Sequence, residues 1–363
     1  MKKDKVKIFS VFSIISIIIF AFAFILYVFS ISSYGFADFV NEGISHYLRS
    51  TLALINGVFD FSIFEFLIIF SPFILGVIVY IAFRSFKRRD TAWRFVVNLA
   101  SVLLLVLSVH ILALGVGYKT TPVATRMDLN ESDISHEELC EVAAFLSDEI
   151  NLLAPQVKRD ENGVFESGYS YAELSSVIAK SYSDLTETYD LPPAHNGRAK
   201  GVILGGAMSR LGITGIYTSI TGEANVNTAY PDYVTIFTTA HEMCHQRGIL
   251  RENEANFVAY LITSTSDDIN LRYSAALNMF SYISSAIYKT DKEGYYALWS
   301  NICQEAKVDY VAANEVSDKY GDTIIEKISD WINDLYLESN GTEGIVSYSK
   351  VVELMVAYYN KNK

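Results

Sequence analysis

Three apolar stretches occupy much of the first 118 residues and restrict this chain more than any other feature. They cover about residues 8–31, 61–83 and 95–118. The first has no charge, the second only Glu65, and the third only His110 as an ionisable group. Each reaches the roughly 20 apolar residues that a helix needs to cross a bilayer. Within hydrocarbon a single segment satisfies its own backbone only as a helix. A hydrophobic content of 51% and a mean hydropathy of +0.23 agree with partial lipid embedding. Three N-terminal transmembrane helices are therefore expected. The first run is longer than a signal-peptide core and ends in no clear small-x-small cleavage site, so it reads as an anchor.

Positive charge gives the expected orientation. Lys2, Lys3, Lys5 and Lys7 precede the first stretch, and Arg84, Lys87, Arg88, Arg89 and Arg94 lie between the second and third. The first loop, residues 32–60, has only Arg49. The tail and the second loop then face the cytoplasm. Residues 1–118 form a membrane domain, and residues 119–363 an extracytoplasmic one. In the first loop Phe36, Phe39, Val40, Ile44, Tyr47 and Leu48 recur at helical spacing. That fits a helix lying in the membrane interface or one packed on the membrane helices.

The outer part reads as α+β and mainly helical. A helical beat over residues 128–153 has Ser132 or Ser135 as its cap. A second helix covers residues 171–185, and Pro192-Pro193 ends that region. Residues 202–204 and 212–221 suggest two short strands or a hairpin, with residues 222–227 extended after them. Helices follow over about residues 234–247, 252–264 and 268–288. A net charge of −12 argues against a nucleic-acid partner, which would need clustered Lys and Arg. The three cysteines, Cys140, Cys244 and Cys303, contain no CxxC pair and imply no disulfide framework.

The chemistry lies in His241-Glu242-Met243-Cys244-His245. On a helix the two histidines share a face one turn apart, so both rings reach one tetrahedral Zn²⁺. Glu242 falls beside the metal as a general base for water. Cys244 lies about 100° round the helix from His245 and reads as a small buried residue. Gly248 marks where the helix stops. Glu252 or Glu254 supplies the third ligand, since the two are about 200° apart. Glu252 is preferred, because it shares a face with Ala255 and with Asn256, an amide suited to stand behind a ligand histidine. His136 and His195 read as surface residues.

This motif, with Gln246-Arg247-Gly248 and Glu252-Asn253-Glu254-Ala255-Asn256-Phe257, resembles a bacterial membrane-protein family, domain of unknown function 3810. Gly215-Ile216-Tyr217, residues 222–227, residues 336–341 and residues 344–348 resemble that family too. More distantly, the site resembles gluzincin proteases, some of which carry the third ligand in a Glu-x-x-Ala-Asp/Asn pattern. The resemblance implies Zn²⁺ on His241, His245 and Glu252. Metzincins, whose third histidine would fall at Arg251, are not matched. Zincins often hold a peptide on an extended edge strand, and residues 222–227 are the candidate, with Glu223, Asn225 and Asn227 on one face. Tyr260, Tyr273, Tyr336 and Tyr348 are candidate transition-state donors.

The expected function is a zinc metallopeptidase in a bacterial cytoplasmic membrane, with the N-terminus inside and the C-terminal domain outside. Its partners would be the lipid bilayer and a peptide or protein substrate. The alternatives are a non-catalytic membrane sensor or interaction protein with a structural metal site, and a zinc amidase acting on cell-wall peptides.

Overall fold

A computed structural model describes residues 9–130, 134–195, 197–321, 323–342 and 350–363. Lys2, Lys3, Lys5, Lys7, Ser132, Tyr348 and residues 344–348 as a whole lie outside them.

Among the described residues, two helices are long and apolar enough to cross a membrane: Val11–Ser32, and Arg89–Lys119 with its π and 3₁₀ turns. They pack on each other. Their outward positions are isoleucine, leucine, valine and phenylalanine, whereas Ser13, Ser16, Ala23, Ser30, Ser101 and Ser108 are buried. Small residues let such helices approach closely where lipid supplies no hydrophobic drive. The expected middle span is not a straight helix. It consists of Ile63–Ile69 and Ser71–Ser85, bent by 59°. Pro72 sits in the first turn of the second piece, where its missing N–H costs nothing, and it cannot continue the preceding helix.

The first loop folds as two helices, Tyr34–Val40 and His46–Asn56, joined by a π turn at Asn41–Ser45. Val40 is buried against Ala23, Leu112 and Val116, while Phe39 and Tyr47 are exposed. Arg49 is fully buried. Its guanidinium donates to the carbonyls of Asn41 (2.9 Å) and Arg247 (3.2 Å), and Asn41 Nδ2 donates to the Gly248 carbonyl (3.2 Å).

Beyond Lys119 the chain is mainly helical. Ser135 caps His136–Leu153 in a capping box with Glu138, and Ser170 caps Tyr171–Thr188 in the same way with Glu173. Asp232–Arg247, Glu252–Ser264 and Ile269–Thr290 pack together as the centre of the core.

The sheet corrects two expectations. Its strands are β1 (Ala199–Val202), β2 (Gly215–Thr218) and β3 (Glu223–Asn227), in the order β1-β3-β2. The hairpin is β2–β3, and β1 joins β3 in parallel. Hence β3 is the central strand, not an edge. Glu223 makes a buried ion pair with Lys200 (2.7 Å) and accepts from the N–H groups of Ile63 and Phe64 (both 2.9 Å). Asn225 Nδ2 donates to Thr218 Oγ1, and Asn227 Nδ2 to Ser209 Oγ and the Ile213 carbonyl. All three side chains are buried and bonded within the sheet and its neighbours, and none of them lines the cleft described below.

Glu223 therefore ties the sheet to the bent helix pair. Glu65 does the same in reverse, accepting from the N–H groups of Ile203 (3.1 Å) and Leu204 (2.6 Å). Lys200 also donates to the carbonyls of Asn56 and Phe61. Replacing Lys200 with Met strands the Glu223 charge in the interior and is expected to destabilise the chain by about 3–5 kcal/mol. The double variant Lys200→Met/Glu223→Gln should lose clearly less. Thermal unfolding of the detergent-solubilised chain checks this, and equal losses in both variants would contradict it.

Candidate metal centre

Asp232–Arg247 is apolar on its buried side, and Ile236, Phe237, Ala240, Met243 and Cys244 all enter the core. Cys244 is completely buried in that core. His241, Glu242 and His245 project from another side into a cleft of about 610 Å³. The helix ends at Gly248, whose φ of +99° is left-handed, a backbone state that glycine adopts without a Cβ clash. A Cβ there would also meet Arg49 Nη2 at 2.3 Å. The turn returns the Ile249 carbonyl to His245, whose Nδ1–H donates to it at 2.8 Å. That bond keeps Nδ1 protonated, so Nε2 is the ring nitrogen of His245 that faces Glu252 and could take a metal.

The next helix, Glu252–Ser264, starts four residues later and brings Glu252 to the histidines. Glu252 Oε2 lies 3.2 Å from His241 Nε2 and 3.5 Å from His245 Nε2. The three donors lie within 4.8 Å of one another. Ligand atoms at a tetrahedral zinc, with bonds of about 2.0–2.2 Å, are about 3.3–3.6 Å apart. The donor set thus fits zinc in chemistry, and the two distances from Glu252 fit it in spacing. Glu254 is occupied elsewhere. It accepts from Arg251 (2.9 Å) and from the Val123 N–H (3.0 Å), and Arg251 in turn holds the carbonyls of Tyr118 and Thr120. Of the two acids, only Glu252 stands with the histidines.

The electrostatics follow from burial and mutual charge. Burial disfavours the Glu252 carboxylate, but His245 and His241 outweigh it and hold that carboxyl well below the usual range. Burial likewise disfavours a charged His245, yet the carboxylates of Glu252 and Glu242 lift it to about 9. Burial pushes Glu242 up, against the pull of the two histidines. Glu242 Oε2 and His241 Nδ1 are buried without a hydrogen-bond partner among the described residues.

Asn256 lines the cleft, but its Nδ2 has no partner among the described residues and no bond joins it to a histidine. The orienting group for His245 is the Ile249 carbonyl instead. Of the tyrosines singled out from sequence, Tyr348 lies outside the described residues, and among the other three only Tyr336 lines the cleft. Tyr273 is tied to Asp309 (2.6 Å), and Tyr260 lines a separate, smaller pocket. His136 is exposed, as expected. His195 is half-buried rather than a surface group, donating to the Gln246 carbonyl at 3.0 Å.

Several cleft residues were not anticipated as such: His110, Tyr217 and Tyr282. An ionisable group inside an apolar span is itself a functional signal, and His110 carried it. Nothing in the spacing marked Tyr282. The cleft's wall is β2, whose outer edge is unpaired among the described residues. Gly215 brings this strand against the motif helix. A Cβ there would lie 2.5 Å from both Glu242 Oε1 and Thr238 Cγ2. Across from β2 runs the helix Ile324–Ser339, which contributes Ser329, Asp330, Asn333 and Tyr336.

Residues 40–356 match the family described as Protein of unknown function (DUF3810), and the chain belongs to that family. It matches no curated protein and no solved structure.

A metal entering this cluster must displace the proton that His245 holds below about pH 9. Zinc uptake near pH 7 is therefore expected to release about one proton per metal and to weaken as pH falls. Calorimetric titration in buffers of differing ionisation enthalpy measures this. Uptake with no proton release would contradict the ligand assignment.

Proposed function

We propose that this member of the DUF3810 family is a membrane-anchored zinc metallopeptidase, gluzincin-like in its ligands, hydrolysing peptide bonds outside the cytoplasmic membrane. The observation that carries this reading is the placement of Glu242. Its carboxylate is buried beside the three donors and lines the cleft, with one oxygen unpartnered among the described residues. A metal site that only stabilised the fold would have no use for such a group.

His241, His245 and Glu252 would hold the zinc, which supplies Lewis acidity towards the scissile carbonyl and makes the attacking water more acidic. Glu242 accepts the proton of that water and delivers it to the leaving amine. Its burial raises its proton affinity above that of a solvated carboxylate, which suits this role. An extended peptide pairs with the free edge of β2, where main-chain bonds give affinity without reading sequence. Gly215 keeps that strand close enough for the peptide to pass over Glu242. Burial and the Glu252 charge push the Tyr282 phenol up to about 12. It stays protonated and can donate to a developing oxyanion.

The membrane reading rests on the two long apolar helices, with the bent pair counted as a third span. Arg84, Lys87, Arg88, Arg89 and Arg94 cluster where the bent pair meets the second long helix. Arg49, the one cation in the first loop, is buried against the motif helix and so does not count towards a charged cytoplasmic loop. On this reading the N-terminus lies inside and the domain from residue 119 onward outside.

Glu242→Gln is expected to keep the wild-type zinc content and lose about 10²–10⁴-fold in the hydrolysis of an unstructured protein. Gly215→Ala should also keep zinc while lowering kcat by about 10²-fold, because it displaces the base. Metal analysis and peptide-release assays on the solubilised full chain check both. Undiminished cleavage by Glu242→Gln would overturn the mechanism.

A further inference from the structure

The helix Ile324–Ser339 has two faces with different surroundings. Ser329, Asp330, Asn333 and Tyr336 line the cleft. Ile324, Ile325, Ile328, Trp331, Ile332 and Leu335 are all exposed, Ile324 at 77% and Trp331 at 62%. At 100° per residue these six fall within an arc of about 120°, and the cleft-lining residues occupy the next 120°. So broad an apolar stripe on a surface helix calls for a cover.

Both ends of the helix are fastened to elements that leave the membrane segments. At its C-terminal end Leu337 is buried with Tyr118 and Leu250, and the Tyr336 ring lies 6.0 Å from His110 and 6.2 Å from Tyr118. Lys119 donates to the Asn340 carbonyl. Of these partners, His110, Tyr118 and Lys119 belong to the last turns of the Arg89–Lys119 span. At the N-terminal end Thr323 donates to the Arg210 carbonyl (3.1 Å). Arg210 closes the short segment that begins at Ile203 and Leu204, whose N–H groups are held by Glu65 of the bent membrane pair. A helix about 24 Å long is thus pinned at each end beside a membrane exit.

We propose that the exposed face of Ile324–Ser339 docks on the outer surface of the bilayer that the chain spans, so that the cleft opens at membrane level. The occupant is the boundary between headgroups and acyl chains. The six apolar side chains enter it, with Trp331 at the interfacial depth that tryptophan favours. The attraction is apolar, because the helix carries Glu326, Asp330, Asp334 and Glu338 against Lys327. Anionic lipid therefore adds nothing to it. The proposal rests on the membrane-spanning reading, which carbonate extraction of native membranes tests separately. If the peptidase reading also holds, the substrates are polypeptides tethered to the membrane surface.

The test uses the full chain in phosphatidylcholine vesicles with nitroxide-labelled lipids. The fluorescence component lost in Trp331→Phe reports this helix alone. It should be quenched at least about two-fold more by a label near the glycerol backbone than by one at the acyl terminus. It should be protected from aqueous iodide and unchanged by added phosphatidylglycerol. Quenching by iodide without quenching by either lipid label would overturn the docking. So would protection from both accompanied by concentration-dependent cross-linking, which would assign the face to a second copy. Hydrolysis is read independently. A lipid-anchored reporter peptide should be cleaved at least about ten-fold faster than the free peptide, and Ile328→Asp/Ile332→Asp should abolish that advantage while sparing free-peptide cleavage. An advantage that survives in the variant reflects surface concentration alone and overturns the substrate class.

Discussion

The structure turns on the end of one helix. At Gly248 the motif helix must stop, reverse and return an acid to its own histidines within a few residues. Arg49 and Asn41 make this possible from the other side. Their side chains take the carbonyls of Arg247 and Gly248, which the helix itself leaves unpaired. Burial lowers Arg49 to about 10, so it remains charged at neutral pH and complements the negative end of the helix dipole. The same turn presents the Ile249 carbonyl to His245 and starts the helix that carries Glu252. The first loop is thereby part of the site's scaffold as well as a link between the first long apolar helix and the bent pair.

A second set of buried charges supports the same arrangement. Lys200 and Glu223 neutralise each other beneath the sheet, while Glu223 and Glu65 accept backbone N–H groups across the boundary between the bent helix pair and the sheet region. Buried ions cost free energy unless they are paired and hydrogen-bonded, and here nearly every oxygen is used. Arg251, Glu254 and Arg126 close the boundary on the far side. Arg126 bridges Asp38 (2.6 Å) and Glu42 (2.7 Å) of the first loop. None of these charged side chains lines the cleft.

Local rules carried much of this in the sequence. The 3.6-residue period located the motif helix and the acid helix, Gly248 announced the stop, and face geometry preferred Glu252 to Glu254. The cap of the first outer helix was legible as Ser132 or Ser135, and it is Ser135. What failed depended on tertiary pairing. Residues 222–227 alternate as an edge strand would, but an isolated strand does not reveal how many neighbours it has. The polar side chains on it look alike whether they await a ligand or bind Lys200, Thr218 and Ser209. Asn256 has the right spacing for a histidine partner, yet a backbone carbonyl orients His245. The middle apolar stretch has the length of a span, and Pro72 bends it. His110 and Tyr282 reach the cleft only because distant helices pack there.

X-ray absorption at the zinc edge of the purified full-length chain tests the central claim most directly. The account predicts one zinc per chain, four-coordinate, with two imidazole nitrogens and oxygen donors at about 2.0–2.2 Å and no sulfur. A sulfur shell at about 2.3 Å would bring Cys244 out of the core and into the site, and an absence of bound metal would remove the basis for the proposed chemistry.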